Sequence, residues 1–288
     1  MISVVMPMRN AARVVERQLV ALARQTYRDP WEVVVADNGS GDAGVAVVER
    51  WRDRIPGLRV VDASARRGAA AARNQGAELA RGDAIAFCDA DDVVASGWLA
   101  AMATALAAHD FVAGACDHEA LNPDGTADWH ARSFETAAPV AMGFKPYASS
   151  ANMAISRNVL LGVGGFDEKF ARFGAAGEDV DLSWRLQLGG HDLYFEPGAL
   201  VFYRHRHDLG GVWRQNLDYG MADVLLYQRY RVHGLCPRPL SQAFRGFGSL
   251  LLRTPALTSR GPRGVWLRDA AHRCGRVRGS VRERVMFL

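Results

Sequence analysis

Short apolar runs alternate with helical segments over the first 110 residues, and this pattern constrains the fold more than any other feature. Strands are predicted at residues 2–6, 31–36, 58–61 and 84–88. Helices are predicted from about residue 15 and over 43–52, 68–79 and 96–108. Such alternation predicts βαβ units, and therefore an α/β fold with a mostly parallel, Rossmann-like sheet flanked by helices.

The alternation weakens after residue 110, although further elements are predicted. Apolar runs indicate strands at 111–116, 151–155 and 193–203, and helices are expected at 178–188 and 213–230. The run Asn122-Pro123-Asp124-Gly125 is a strong turn signal. Near the N-terminus, Asn10 is a candidate cap for the first helix.

The composition is that of a globular protein, with 288 residues of which 49% are hydrophobic and 23% charged. It excludes a disordered or fibrous chain. The four cysteines lack the spacing of a zinc or redox pair, and no run of about 20 apolar residues predicts a membrane span. Because a basic leader is also missing, we expect a cytoplasmic protein. No nucleic-acid partner is expected.

Acidic residues follow two of the predicted strands. Asp89, Asp91 and Asp92 come directly after 84–88, and Asp37 follows 31–36. The carboxyl ends of parallel strands share one edge of the sheet, where ligands bind. Since carboxylates suit Mg²⁺ or Mn²⁺, we expect Asp91 as a direct metal ligand and Asp89 at ribose or a metal-bound water. The alternatives are a solvated acidic turn and, at Asp37, an Asx-turn.

Arginines flank the predicted helix at 68–79. Arg66 and Arg67 precede it and could hold a diphosphate. Arg73 lies inside it and could do the same, but we favour an ion pair between Arg73 and Asp89, because buried carboxylates need partners.

Glu178 and Asp179 open the predicted helix at 178–188. A carboxylate is stabilised as the anion at a helix N-terminus, and an ionised carboxylate can deprotonate a hydroxyl group. A helix-capping pair is the alternative. His205 and His207 follow the last predicted strand, and one of them is a candidate further ligand of the metal site.

Taken together, these segments resemble the family 2 glycosyltransferases, which have the GT-A fold and invert the anomeric carbon. The resemblance covers roughly residues 1–230 and rests on six short strings in order. They are Val4-Val5-Met6-Pro7, Val35-Ala36-Asp37-Asn38-Gly39-Ser40, Gly68 with Ala72-Arg73-Asn74-Gln75-Gly76-Ala77, Phe87-Cys88-Asp89-Ala90-Asp91-Asp92, Val163-Gly164-Gly165-Phe166-Asp167-Glu168 and Gly177-Glu178-Asp179-Val180-Asp181-Leu182.

The resemblance implies a metal-dependent enzyme that uses Mn²⁺ or Mg²⁺ and moves a sugar from a nucleoside-diphosphate sugar, with UDP-sugars favoured. The acceptor would be a hydroxyl group of a cell-surface glycan, a lipid-linked molecule or a small molecule. Asp179 is then the general base, and Asp37 recognises the nucleobase of the donor. Asp89 and Asp91 form the D-x-D pair, and His205, with His207 as the alternative, completes the metal site. The family usually has a second aspartate where Asn38 stands.

Further residues are predicted to contact the substrates. Pro7, Arg9 and Arg67 are expected to contact the nucleotide together with Asp37 and Asp89. Arg73, Asn152 and Glu178 are expected on the side of the donor sugar or the acceptor. A nucleotidyltransferase is one alternative, but residues 8–12 lack the glycine-rich phosphate loop expected after its first strand. A non-catalytic sugar-nucleotide binding protein is the other.

The predicted organisation is a catalytic domain and a basic extension. Residues 1–235 form the catalytic domain, with a nucleotide-binding half at 1–115 and an acceptor half at 116–235. Residues 236–288, predicted to be helical, contain eleven arginines against Asp269 and Glu283. Either this extension contacts the membrane surface peripherally at the inner face, or its helices pack on the catalytic domain with solvated arginines.

Overall fold

A computed structural model of the chain describes residues 1–122, 129–130, 134–173, 176–237 and 239–288. The described part is built on one eight-stranded sheet. Its strands are β1 (Ile2–Met8), β2 (Trp31–Asp37), β3 (Arg59–Asp62), β4 (Ala84–Cys88), β5 (Val93–Val94), β6 (Phe111–Asp117), β9 (Asn152–Ser156) and β10 (Tyr194–Phe202). They lie in the order β3-β2-β1-β4-β9-β6-β10-β5. Only β9 and β5 run antiparallel to their neighbours in it, which confirms the predicted mostly parallel sheet.

A small hairpin joins β7 (Val140–Ala141) to β8 (Lys145–Pro146) in the segment between β6 and β9. The turn predicted at 122–125 lies, apart from Asn122, outside the described residues.

Helices cover both faces of the sheet. They are α1 (Val15–Ala23), α2 (Gly44–Glu49), α3 (Ala69–Leu79), α4 (Trp98–Leu106), α5 (Arg157–Gly162), α6 (Glu178–Leu188), α7 (Leu209–Tyr230), α8 (Leu240–Leu252) and α9 (Arg260–Glu283). The side chains of β1 alternate between two cores: Val4 and Met6 pack with α1, α2 and α4, whereas Val5 packs with α3, α5 and α6. Burial on both faces explains why the central strands are continuous apolar runs.

The C-terminal extension is helical, as predicted, and α9 packs along α7. Glycines permit the close approach: a Cβ on Gly220 would lie 3.0 Å from the Cα of Gly275 and 2.1 Å from the carbonyl oxygen of His272. Arg276 Nη2 of α9 lies 2.7 Å from Asp223 Oδ2 of α7. Among the described helices, none has the length and apolar character needed to cross a membrane.

Asn10 does not cap the first helix, so this prediction is wrong. Helix α1 begins at Val15 and has no side-chain cap at Val14. Asn10 instead adopts a φ of 53°, and its Oδ1 accepts a hydrogen bond of 2.8 Å from the backbone N–H of Gly41. Asn10 therefore ties the loop after β1 to the loop after β2, beside the carboxyl edge of the sheet.

Candidate active site

A cavity of about 2090 Å³ lies at the carboxyl edge of the parallel strands. This is the edge at which the acidic residues were expected to meet. Most of the sequence-predicted site residues line it: Pro7, Arg9, Arg67, Arg73, Asp89, Asp91, Glu178, Asp179, His205 and His207. Residues from both predicted halves of the catalytic domain therefore share one cavity.

Three carboxylates gather where β4 ends. One oxygen each from Asp89, Asp91 and Asp92 lies within 4.8 Å of the others. Asp92 is buried; its Oδ1 accepts a hydrogen bond of 2.8 Å from the N–H of Arg204, and its buried Oδ2 has no hydrogen-bond partner among the described residues. Burial, followed by the charge of the neighbouring carboxylates, raises the pKa of Asp91. The same two causes raise the pKa of Asp92 well above its ordinary value. This concentrated negative charge suits a divalent cation.

Arg73 of α3 connects this cluster to the start of α6. Its Nη2 lies 2.7 Å from Asp89 Oδ1, and its Nη1 lies 3.0 Å from Glu178 Oε1. The ion pair predicted between Arg73 and Asp89 is thus present. The ion pair between Arg73 and Glu178 was not predicted. Although burial alone lowers the pKa of Arg73, the carboxylates of Asp89 and Glu178 raise it above its ordinary value.

Helix α6 begins at Glu178, directly after Gly177, which has a φ of 84°. A side chain at Gly177 would also be crowded, since its Cβ would lie 3.1 Å from that of Ala222. Asp179 Oδ2 accepts a hydrogen bond of 3.2 Å from the N–H of Ser150, which holds the carboxylate in place. Burial raises the pKa of Asp179. The pKa of Glu178 is also raised, first by burial and then by the negative charge of Asp179.

Two predicted site residues lie elsewhere. Asp37 is outside the cavity wall, and its carboxylate accepts hydrogen bonds from the hydroxyl and the N–H of Ser40. Asn152 is buried in the sheet, where its amide donates to Ala115 O at 2.7 Å and Ala199 O at 2.8 Å and accepts from Trp98 Nε1 at 2.8 Å. Because these bonds occupy the amide within the core, Asn152 is not part of the candidate site.

His205 lies in a group of aromatic rings that no sequence pattern had indicated. Its Nε2 is 3.2 Å from Nδ1 of the buried His118. Its ring stacks on the ring of His130, with 3.9 Å between the two ring centroids. His118 Nε2 faces Glu135 Oε1. The sequence signal for His118 was its position just beyond β6, at the same edge of the sheet as the acidic cluster.

The C-terminal extension also contributes to the cavity wall. The lining residues from α8 and α9 include Gln242, Phe247, Arg268, His272, Arg273 and Arg276. The extension therefore encloses part of the cavity instead of standing apart from the catalytic domain.

Comparison with known sequences agrees with this picture. The sequence model described as "Glycosyl transferase family 2" matches residues 3–163. A pre-mycofactocin glycosyltransferase of Mycobacterium tuberculosis is 32% identical over 244 residues, covering 80% of this chain and 48% of that protein. Glycosyltransferase AglE of Haloferax volcanii is 24% identical over 271 residues, covering 88% of each chain. The chain thus spans about half the length of the M. tuberculosis relative.

Solved structures confirm the GT-A type of fold. The mannosyltransferase PcManGT of Pyrobaculum calidifontis, in complex with GDP-Man and Mn²⁺, aligns with a TM-score of 0.64 at 20% identity, covering 96% of this chain and 86% of that one. Residues 1–349 of Staphylococcus aureus TarS, in complex with UDP-GlcNAc, align with a TM-score of 0.55 at 16% identity, covering 99% of this chain and 92% of that one. These likenesses establish the fold.

Proposed function

Because the chain belongs to glycosyl transferase family 2, we propose that it moves a sugar from a nucleoside-diphosphate sugar to an acceptor hydroxyl group with inversion at the anomeric carbon. One observation carries the proposal: Arg73 joins the acidic cluster after β4 to the carboxylates that open α6. A cation-binding group and a candidate base therefore line a single cavity. This pairing is what transfer from an activated donor requires.

The donor nucleotide is proposed to lie along β1, α3 and the end of β4. Pro7, Arg9 and Arg67 line this part of the cavity, with Asp89 beside them. Arginine guanidinium groups suit a diphosphate. We also propose that Asp37 contacts the nucleobase. For this contact its carboxylate would have to give up the hydrogen bond from the hydroxyl of Ser40. The ligands of PcManGT and TarS, GDP-Man and UDP-GlcNAc, are donors of this class, and we favour a UDP-sugar.

The acidic cluster fits Mn²⁺ or Mg²⁺, because three crowded carboxylates and a buried Asp92 oxygen without a hydrogen-bond partner among the described residues offer the oxygen ligands such ions prefer. We propose Asp91 as a direct ligand, with His205, or His207 in its place, completing the set. A bound cation would neutralise the charge of the departing diphosphate.

Asp179 is proposed as the general base. Its carboxylate takes the proton of the acceptor hydroxyl group, whose oxygen attacks the anomeric carbon from the face opposite the diphosphate. The bond from that carbon to the diphosphate oxygen breaks in the same step, so the configuration inverts. Burial favours this role, because a raised pKa makes the carboxylate of Asp179 a stronger base than an exposed aspartate.

The acceptor is proposed to enter between the 116–235 half and the extension. Phe247 and Arg273 line that side of the cavity, so both apolar and cationic groups are available to a glycan, a lipid-linked molecule or a small molecule. This placement gives residues 236–288 a role in acceptor binding.

A peripheral membrane contact is proposed for α8. Phe244, Leu251 and Leu252 are 70%, 76% and 84% exposed and lie seven and eight residues apart, on one face of the helix. The exposed Arg245 beside this face would meet anionic lipids. We place this contact at the cytoplasmic face of the membrane, in keeping with four cysteines that form no disulfide bond in the described part of the chain.

Co-sedimentation with phosphatidylglycerol vesicles tests the membrane contact. The double variant Leu251→Ser/Leu252→Ser should pellet less than the unchanged protein. Val281→Ser is the matched control, because Val281 is 77% exposed but lies on α9. Equal pelleting of all three proteins would disprove the contact. Point variants are preferable to removing 236–288, because α9 packs against α7.

Thermal unfolding with a panel of nucleoside-diphosphate sugars, with and without Mn²⁺, tests the donor class. We expect at least one donor to raise the midpoint, more so with Mn²⁺, and that donor to be consumed in the presence of an acceptor. Stabilisation without turnover would indicate a sugar-nucleotide binding protein, and a lack of stabilisation by every donor would contradict the proposal.

A further inference from the structure

A second group of potential metal ligands lies at the carboxyl end of β6, separate from the acidic cluster. Cys116 is near the end of this strand, His118 follows it, and Glu135 pairs with the strand through a backbone hydrogen bond from its N–H to Cys116 O. One ligand atom from each residue lies within 4.8 Å of the other two. We propose that Cys116, His118 and Glu135 bind a zinc ion.

The chemistry of the donors selects zinc. A thiolate, an imidazole and a carboxylate are the three side-chain types that Zn²⁺ takes in proteins. The acidic cluster at Asp89, Asp91 and Asp92 offers oxygen atoms alone, which suit Mg²⁺ or Mn²⁺. The two groups therefore discriminate between metals, because a soft sulfur ligand is present in one and not in the other.

The spacing of the ligand atoms matches tetrahedral coordination. His118 Nε2 and Glu135 Oε1 are 3.3 Å apart. Bonds of about 2.0–2.2 Å at a tetrahedral angle place a nitrogen and an oxygen ligand about 3.3–3.5 Å apart. The two atoms also lie within hydrogen-bond reach of each other, and this contact holds them at the spacing that one ion requires.

Neighbouring groups orient the ligands in the way that metal sites require. His118 Nδ1 lies 3.2 Å from His205 Nε2, which engages one nitrogen of the imidazole, and Nε2, which faces Glu135 Oε1, is the nitrogen that would bind the ion. Glu135 Oε2 accepts a hydrogen bond of 3.2 Å from the N–H of Cys116, which holds the carboxylate against the strand. All three ligands line the cavity, so a fourth position is accessible to water.

Burial gives the ion an energetic role. Cys116 and His118 are each 1% exposed, and the side chain of Glu135 is 12% exposed. A thiolate at the depth of Cys116 is costly unless a cation compensates its charge. A divalent ion would compensate that charge, and binding would therefore stabilise the fold of the β6 end.

Metal retention tests the proposal. The chain of residues 1–288 is loaded with Zn²⁺, dialysed and measured for bound zinc, and is separately loaded with Co²⁺ as a spectroscopic probe. We expect one retained zinc and a near-ultraviolet charge-transfer band from thiolate to cobalt. Cys116→Ser should lose the band and bind zinc at least tenfold more weakly. Cys274→Ser, at an exposed thiol, is the matched control and should retain both.

Two more variants complete the test. Glu135→Gln preserves an oxygen acceptor for the N–H of Cys116, so it should remain folded by circular dichroism and yet bind zinc more weakly. Asp91→Asn should retain the zinc, since it alters the other group. The proposal is overturned if the unchanged protein retains no zinc, if Cys116→Ser retains the band, or if Asp91→Asn and not Glu135→Gln releases the ion.

Discussion

Arg73 donates a hydrogen bond of 2.7 Å from its Nη2 to Oδ1 of Asp89. Its Nη1 donates another, of 3.0 Å, to Glu178 Oε1, so one guanidinium group fixes both acidic motifs of the candidate site. The side chains of Arg73 and Glu178 are both 3% exposed. The separation between the two motifs is thus set by a buried cation and not by either loop alone.

Arg73→Leu is expected to lower the free energy of unfolding by about 3–5 kcal/mol, because it leaves the buried carboxylate of Glu178 and the partly buried carboxylate of Asp89 without their cation. Urea unfolding monitored by circular dichroism measures the loss. Arg52→Leu is the matched control, since Arg52 is 56% exposed and pairs with Glu49, and its cost should be below about 1 kcal/mol. Similar losses in the two variants would show that the bridge does not organise the site.

Asp179→Asn should lower transfer by about 10²–10⁴-fold or more, because the amide cannot accept the acceptor proton. Donor affinity should stay nearly unchanged, since the substitution leaves the nucleotide side of the cavity intact. Turnover and donor titration by calorimetry measure the two effects.

The control for Asp179→Asn is Asp53→Asn at an exposed position, which should behave as the unchanged protein. Near-normal turnover of Asp179→Asn would remove Asp179 from the role of base, and Glu178→Gln would then be the next variant to measure.

The pH dependence of kcat/KM should reflect the raised pKa of Asp179. Burial disfavours the carboxylate form, so the proton is lost at a higher pH than in an exposed aspartate. The base is inactive when protonated, and kcat/KM should therefore fall about tenfold per pH unit below that raised pKa. The measurement is a pH profile of kcat/KM at subsaturating donor, with circular dichroism at each pH to exclude unfolding.

Asp179→Glu gives the control for this profile, because the acidic limb should move if residue 179 carries the proton. An acidic limb at or below the ordinary pKa of aspartate, about 3.9, would contradict the assignment.

The sequence was sufficient for the strands and the helix that position the acidic residues. The apolar runs at 31–36 and 84–88 predict β2 and β4, and parallel strands place the residues after their carboxyl ends on one edge. Helix α6 was predicted with its observed bounds of 178–188, because Gly177 and two acidic residues signal its start. Periodicity and turn chemistry are local, and for that reason they can be recognised in one sequence.

The errors and omissions all involve partners distant in sequence. Asparagine is a residue type that often caps helices, but the side chain of Asn10 accepts its hydrogen bond from Gly41, 31 residues away. The amide of Asn152 is buried among Trp98, Ala115 and Ala199, which no local pattern reveals. Cysteine spacing likewise gives no signal for the group of Cys116, His118 and Glu135, because Cys116 meets Glu135 only in the folded chain.

Asn38 occupies the position where the family usually has a second aspartate, and the structure gives a reason why the amide matters here. Its Nδ2 donates to Ala63 O at 2.6 Å and to Arg66 O at 2.7 Å, while its Oδ1 accepts from the N–H of Gly68 at 2.9 Å. One amide thus holds the segment that leads from β3 into α3.

Asn38→Asp should lower the free energy of unfolding by about 1–3 kcal/mol or more, because it removes two donated hydrogen bonds and places a carboxylate against two carbonyl oxygens. Thermal and urea unfolding at pH 7 measure the effect. Asn10→Asp is the matched control, since the side chain of Asn10 bonds to Gly41 through Oδ1 as an acceptor, which aspartate preserves. An equal and small change in both variants would mean that the segment before α3 rearranges readily, so that an aspartate at 38 could turn toward the nucleotide.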